Sequence, residues 1–525
     1  MSINRETYAS LMDEYEPSAE MPTTNRPIFE IQNLDRVKVI LVNLPAYDYS
    51  LSPYRGIPHI RRPPIGLYSI KFATEIYSGE NSIQIIDMEE FRLAPVDLAD
   101  IISKIERGSK KNLIIGINGY SPNRFLVERV LKYLTIYSET WKIIVGGRLV
   151  SIELDPRKTN YITPEDSLIS NIKPNRNVYF FVGEAEASFI HLLKNINWEE
   201  LNLSSVGSVN RNNIKFPVQF EILKKDVLEF GHKQMPPKYL ATEGHGQYYY
   251  AMISSRSCAY SCSFCAANYF PVRIREIAIL RAQIETLCKI NSNAAFIDFF
   301  DDNVFQSPNR GREIVEMMEG LHNSGYSVIW RALARADTIM KMDLSGHIAR
   351  AAAAGLEEVA IGVESVSDQV LSDMSKGLTF GVIDAAINNL EKCHIRAKMF
   401  VMIGSRNETI DEALATINYI KKRSKNGNRW SLFIKAPYAG TEDHNNLLKN
   451  GYTFWDLQLY TEAASRGGSL VNAVDDLKIQ LGKLPLGELF SMAQEGNSLI
   501  FNATVENLGE DCCAVAFENQ KALGK

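Results

Sequence analysis

Short apolar runs alternate with amphipathic stretches along most of the chain, and this pattern occurs twice. In the first half, a β-branched run at 37–43 is followed by a helical pattern over 65–77 that opens after Pro63 and Pro64. Apolar runs at 82–87, 112–118, 142–147 and 179–186 predict further strands, with helices over 95–107 and 123–140 between them. Strand–helix alternation of this kind predicts a parallel, doubly wound, Rossmann-like α/β sheet with ligands beyond the carboxyl ends of its strands. This first domain is expected at 36–200, after an irregular lead-in at 1–35 that holds Pro17, Pro22 and Pro27. Residues 201–248 show no clear period, carry Pro217, Pro236 and Pro237, and read as a linker.

Alternation then resumes, with strand patterns at 250–255, 295–300, 328–332, 358–364, 397–404 and 431–436. Six βα units fall short of the eight of a complete barrel, so 249–441 is expected to form a partial (β/α)6 TIM-like barrel. From 442 to 525 the pattern is polar and helical, broken at Gly467 and Gly468, and predicts a helical region covering the barrel mouth.

The totals fit this division. A chain of 525 residues exceeds one core, since domains hold about 100–200 residues each. A net charge of −5 gives no sign of a nucleic-acid partner, and the basic run Lys421 to Lys425 reads as a solvated helix end. The polar, acidic start lacks the apolar core of a signal peptide, and no apolar run approaches the roughly 20 residues of a membrane span. The seven cysteines do not form a secreted disulfide framework, so a cytoplasmic location with reduced thiols is expected. Cys288 and Cys393 lie in helical patterns and read as buried small hydrophobes. The vicinal pair Cys512 and Cys513 fits either a metal chelate or an ordinary tail.

Chemistry concentrates in the remaining three cysteines. Cys258, Cys262 and Cys265 follow a C-x3-C-x2-C spacing on one loop. Three thiolates suit a cuboidal iron–sulfur cluster that keeps one iron without a protein ligand. A structural zinc site needs a fourth ligand, and no suitable Cys or His pair follows. The loop comes directly after the strand ending at Ser254 and Ser255, at the carboxyl end of the barrel, where catalytic loops collect. Other strands end in polar groups too: Asp301 to Asn303, Arg331 to Arg335, Glu364 and Ser365, Gly404 and Ser405, and Tyr438. Acidic and basic partners suit a ligand with an amine and a carboxylate, and Glu364 suits a ribose diol. On the first sheet, Gly116, Asn118 to Ser121, Gly146, Gly147, Gly183 and Glu184 fall at strand ends. Glycines there either admit a ligand to the backbone or make tight turns. Neither G-x4-G-K-[ST] nor G-x-G-x-x-G is present, which argues against an NTPase or an ordinary dinucleotide binder.

The cysteine loop, with Phe264 before its third cysteine, resembles the signature of radical S-adenosylmethionine (radical SAM) enzymes. Segments at 299–305, 330–337, 362–365, 374–377 and 436–441 are similar to those of the subgroup with an N-terminal cobalamin-binding-type domain. So are Pro63 to Leu67, Val145 to Gly147 and Val182 to Glu186 in the first domain. The resemblance implies a [4Fe-4S] cluster on Cys258, Cys262 and Cys265, whose open iron takes the methionine amine and carboxylate of S-adenosylmethionine. Reductive cleavage would then give methionine and a 5′-deoxyadenosyl radical. It further implies Phe264 and the strand leading to Gly404 at the adenine, Asp302 at the amine, Arg335 at the carboxylate, and Glu364 with Ser365 at the ribose. Tyr438 would be the catalytic residue facing the substrate. Cobalamin would lie on Tyr120, Ser121, Gly146, Gly147, Gly183 and Glu184. The implied reaction is methylation of an unactivated carbon, or of phosphorus, in a small biosynthetic intermediate, with a flavodoxin or ferredoxin as electron donor. The alternative is a radical rearrangement, cyclisation or oxidation without methyl transfer. Two departures stand out. Gly404 to Thr409 lacks the Pro and Gly of the family's Gly-x-Pro-Gly-Glu-Thr, and Asp-x-His-x-x-Gly, the source of a lower cobalt ligand in other cobalamin proteins, is absent.

Overall fold

The computed structural model describes residues 37–45, 66–67, 70–71, 83–88, 93–109, 112–120, 123–138, 140–154, 178–181, 185, 189, 241–244, 247–268, 272–290, 294–466 and 469–508. Among them, the first domain comprises β1 (Val37–Asn43), β2 (Ile83–Asp87), α1 (Pro95–Ser109), β3 (Asn112–Asn118), α2 (Arg124–Tyr137), β4 (Lys142–Gly146), α3 (Arg148–Leu154) and β5 (Val178–Phe180). All pairings are parallel, in the order β2-β1-β3-β4-β5. That order reverses direction between β1 and β3, which is where doubly wound sheets bind ligands. The strands read as continuous apolar runs because helices cover both faces. Val39, Ile40, Ile114 and Ile115 are fully buried. Of the expected helix over 65–77, Gly66, Leu67, Ile70 and Lys71 are helical and the rest lies outside the described residues.

The linker range ends in strand. β6 (Ala241–Gly244) pairs antiparallel with β7 (Gln247–Met252), and β8 (Ser255–Arg256) pairs with β9 (Arg273–Ile274) around the cysteine loop. α4 (Ile277–Ile290), β10 (Ala294–Phe299), α5 (Pro308–Asn323), β11 (Ser327–Leu333), α6 (Ala336–Asp343), α7 (His347–Ala353) and β12 (Leu356–Glu364) follow. α8 (Asp368–Asp373), α9 (Phe380–Lys392), β13 (Arg396–Ile403), α10 (Ile410–Ser424) and β14 (Arg429–Ile434) complete the barrel. Its sheet runs β14-β13-β12-β11-β10-β7-β6, parallel throughout except at β6. All six expected βα strands are present, to within a few residues at their ends. The helices start where side chains cap them. Ser307 accepts from Arg310 N ahead of Pro308, and Thr409 forms a capping box with Glu412.

Strict alternation on β13 sends Ala397, Met399, Val401 and Ile403 under the helices and leaves Arg396, Lys398, Phe400 and Met402 on the opposite, lumenal face. Across that face Asp298, Arg331, Glu358 and Arg396 sit in register on four neighbouring strands. Arg331 pairs with Asp298 and Glu358, and Glu358 also faces Arg396 and Arg429. Arg331 thus belongs to a charged layer inside the lumen and not to the mouth, where the sequence pattern had grouped it with Arg335. Cys288 is fully buried in α4, and Arg423 of the basic run pairs with Asp384 and Glu391.

The C-terminal region is helical, as expected: α11 (Glu442–Lys449), α12 (Phe454–Arg466), α13 (Ser469–Asp476) and α14 (Leu486–Leu508). α14 packs along edge strand β14, where Asn497 donates to Leu432 O at 3.3 Å. Its Leu489 lies against Gly404 at the end of β13. Cys512 and Cys513 lie outside the described residues. Among the described residues no helix is long and apolar enough to cross a membrane.

Candidate active site between the two carboxyl edges

The mouth of the barrel is organised by Asp301. Fully buried among polar neighbours, its carboxylate accepts from Ser254 N at 2.9 Å, Ser254 Oγ at 2.7 Å and Ser255 Oγ at 2.6 Å. Gln306 donates to Ser257 O at 2.7 Å, and Ser257 Oγ donates to Ala267 O at 2.7 Å. These bonds fix both ends of the cysteine loop to β10. From the far side, Ser263 N donates to Met374 O and Asp443 N donates to Ser263 O, each at 3.0 Å.

Cys258, Cys262 and Cys265 are free and half-buried on this loop. Burial pushes the Cys258 and Cys265 thiols up, and each lies within electrostatic reach of Cys262 and Asp302. Among the described residues no group of three or more His, Cys, Asp or Glu side chains is drawn into a closed ligand set. The donor set itself fits a cluster: three soft sulfurs on one anchored loop, with cationic Arg335 beside them. Arg335 Nη1 lies 3.9 Å from Cys262 Sγ.

Glu364 ends β12 with φ +61°, a left-handed conformation that is uncommon away from glycine and often marks a functional position. A register shift between Gly362 and Glu364 accompanies it. Glu364 Oε1 accepts from Lys376 Nζ at 2.7 Å, and both are nearly buried. A Cβ at Gly362 would come within 2.2 Å of Glu364 Oε1, so a larger residue there would displace the Glu364–Lys376 pair. Lys376 also lies over the Phe264 ring, 5.9 Å from its centroid, tying Glu364 to the cysteine loop. Ser365 points elsewhere. Fully buried, its hydroxyl meets Thr416 Oγ1 at 3.3 Å and accepts from Ser367 N at 3.2 Å.

The turn that departs from the family pattern is held by Glu408. Gly404 adopts φ +94°, and Gly404 N and Ser405 N donate to Glu408 Oε2 at 2.6 and 3.0 Å. A cavity of about 280 Å³ opens beside this turn, lined by Gly404, Arg406, Asn407, Lys435, Pro437 and Asp443. Half-buried Tyr438 follows, its hydroxyl pushed up by burial. Burial also lifts the Glu408 carboxyl from 4.5 to about 7, against the two backbone donors. The folded chain therefore holds an extra proton between those values, so stability falls as pH rises through that window and levels off above it. Glu408→Gln should flatten this part of the profile, because the amide oxygen still accepts from the turn. Urea denaturation at pH 5.5 and pH 8 checks it; an unchanged pH dependence would rule it out.

The first domain contributes the opposite wall. An amide chain crosses its carboxyl edge: Asn43 donates to Asp87 at 2.9 Å, Asn118 donates to Asn43 at 2.8 Å, and Leu44 N donates to Asn118 at 2.8 Å. Asn118 also donates to the exposed Tyr120 hydroxyl at 3.3 Å. Gly147 has φ +96°, and a Cβ there would come within 2.6 Å of Gly119 O, so the edge depends on its glycine. Gly146 lies at the same edge, whereas Ser121, Gly183 and Glu184 lie outside the described residues. Immediately after Gly147, Arg148 Nη2 reaches 3.8 Å from Asp302 Oδ2 in the barrel. Ile152 packs on Gly440, and Phe125 joins the barrel's hydrophobic core. Buried Arg124 bonds Glu153 at 2.7 Å and Glu128, and lies over the Phe454 and Trp455 rings at 5.2 and 4.9 Å. The two carboxyl edges therefore face each other. Arg148, Lys376, Glu408 and Tyr260 are site residues without a role assigned from sequence. Lys376 inside the family-like segment 374–377, Glu408 at the glutamate of the Gly404 to Thr409 turn and Tyr260 inside the cysteine loop had a signal that could have marked them, and Arg148 had none.

Comparison with known proteins places the domain and the fold. Residues 252–420 match the Radical SAM superfamily. An uncharacterized methyltransferase of Pyrococcus horikoshii is 25% identical over 417 residues, covering 77% of this chain and 82% of the relative. A bacteriochlorophyllide d C-12(1)-methyltransferase of Chlorobaculum tepidum is 26% identical over 198 residues, 36% of this chain and 41% of that enzyme. Among solved structures, the radical S-adenosylmethionine methyltransferase TsrM of Kitasatospora setae, with cobalamin and a [4Fe-4S] cluster bound, aligns with TM-score 0.53. It is 15% identical and covers 78% of each chain. The cobalamin-dependent S-adenosylmethionine radical enzyme OxsB, with aqua-cobalamin bound, aligns with TM-score 0.50 at 18% identity, over 85% of this chain and 61% of that one. At such identities the structural likeness concerns the fold. The chain is thus an enzyme that carries a radical SAM domain over residues 252–420 and shares its overall fold with TsrM and OxsB.

Proposed function

We propose that the chain is a cobalamin-dependent radical SAM methyltransferase acting on an unactivated carbon, or phosphorus, of a small biosynthetic intermediate. The observation that carries this reading is the meeting of the two carboxyl edges at Arg148 and Asp302, 3.8 Å apart. A ligand on the first sheet would there face a ligand on the cysteine loop. Cys258, Cys262 and Cys265 would hold the [4Fe-4S] cluster, and Tyr120, Gly146 and Gly147 would form the floor for cobalamin. When bound, the cluster supplies an electron to the sulfonium of S-adenosylmethionine and the cobalamin supplies a methyl group. Asp302 would receive the ligand's amine and Glu364, oriented by Lys376, its ribose. Phe264 and the turn at Gly404 would border the adenine, close to the cavity beside Lys435. Tyr438, at the end of the last strand, would face the substrate. A small one-electron protein such as flavodoxin or ferredoxin would serve as donor.

The reading agrees with the methyltransferase names of the two sequence relatives and with the cobalamin-bound structural ones. Gel filtration of anaerobically reconstituted protein with cobalamin tests it. Retained cobalamin that gains a CD3 group from CD3-labelled S-adenosylmethionine is the expected result. Protein that takes up a cluster but never retains cobalamin would exclude cobalamin-dependent methyl transfer and favour a rearrangement, cyclisation or oxidation.

A further inference from the structure

Arg335 sits at the end of β11 as the N-cap residue of α6, with extended backbone (φ −83°, ψ 146°) and only 9% exposure. Each of its nitrogens is engaged within the chain. Nη2 donates to Lys376 O at 3.0 Å, Nε donates to Asp337 Oδ1 at 3.1 Å, and Nη1 points at Cys262 Sγ at 3.9 Å. The guanidinium carbon lies 3.8 Å from the centroid of the Tyr260 ring. Tyr260 is the middle residue of the C-x3-C arch between Cys258 and Cys262. The same short segment that accepts from Arg335 at Lys376 O also accepts from Ser263 N at Met374 O. Its Ser375 adopts φ +51°. One turn with a left-handed residue thus holds both the flat cation that covers Tyr260, at Lys376 O, and the residue after Cys262, at Met374 O.

We propose that Arg335 is a positioning residue for the cysteine loop: stacked on Tyr260, it donates to the Cys262 sulfur and so fixes and polarises that ligand. The proposal rests on the reading of the loop as a cluster site. A guanidinium with Nε and Nη2 committed to protein acceptors has little freedom to fork onto a ligand carboxylate. A charge-assisted N–H···S bond withdraws electron density from a ligating thiolate, which favours the reduced cluster and moves its potential upward.

The test uses Arg335→Gln and Tyr260→Leu in the reconstituted full chain. Both should shift the EPR-monitored midpoint potential to more negative values and speed cluster loss to a chelator by about 10-fold or more. The affinity for S-adenosylmethionine should change by less than about 3-fold, whereas loss of a direct carboxylate partner weakens binding far more. Arg335→Lys, which keeps the charge but loses the stack, should fall between. A weakened affinity with an unmoved potential would overturn the proposal and make Arg335 a ligand-carboxylate receptor. In the metal-free chain, both variants should speed hydrogen exchange at the amides of 260–265. Unchanged exchange would overturn the clamp by itself. Failure of the wild-type chain to take up a cluster would instead count against the cluster reading, with the exchange result still deciding the clamp.

Discussion

Replacing Cys258, Cys262 and Cys265 together by alanine should abolish iron and sulfide uptake, remove the visible absorption band of the reconstituted protein, and bring S-adenosylmethionine cleavage down to background. The effect should be all-or-none, because Cys258, Cys262 and Cys265 are the only sulfur-bearing residues of the loop and a cluster is held by thiolates. The loop should nevertheless keep its fold. Its anchors are backbone bonds, Ser263 N to Met374 O and Cys265 N to Cys262 O, together with the Ser254, Ser255 and Asp301 cluster, and none of these uses a thiol. Far-UV circular dichroism should therefore match wild type while the band is gone. A triple variant that still binds a full complement of iron would show that the ligands lie elsewhere.

The second large effect concerns stability. Arg124 is 1% exposed and Glu153 is fully buried at their side chains, so each neutralises the other in a region with little water. Arg124→Ala would take the guanidinium away from buried Glu153 and would strip the cation from the Phe454 and Trp455 rings. Breaking a buried pair from one side costs about 3–5 kcal/mol. A clear fall in the thermal midpoint, with faster proteolysis between the first domain and α12, is the expected result. The paired replacement Arg124→Met with Glu153→Leu should restore much of the loss, because a packed apolar pair carries no desolvation penalty. If Arg124→Ala melts with wild type, this contact does not hold the domains together.

The strands were legible because alternation with helices and β-branched runs record burial directly, and all six barrel strands lie where the apolar runs place them. The cysteine loop and its place after β7 were equally visible, since ligand spacing is a local property. Other features arise from tertiary contact and leave no local pattern. β6 sits at the end of an aperiodic stretch and exists through its antiparallel partner. Lys376 comes from an irregular turn and gains its role from the bent end of β12. Arg331 looked like a mouth residue by sequence distance, but strand register lowers it into the charged layer with Glu358. Arg148 could not be read at all, because nothing local announces that two carboxyl edges face each other. The irregular Gly404 turn shows the converse: Glu408, the glutamate this turn shares with the family pattern, accepts from Gly404 N and Ser405 N although the Pro and Gly are absent.

A cluster on Cys258, Cys262 and Cys265 is expected to cleave S-adenosylmethionine by one-electron reduction. Quantifying 5′-deoxyadenosine and methionine after anaerobic incubation of the reconstituted full chain with dithionite tests it most directly. Reductant-dependent formation of both products is expected. A fully cluster-loaded protein that binds S-adenosylmethionine yet forms neither product would contradict it.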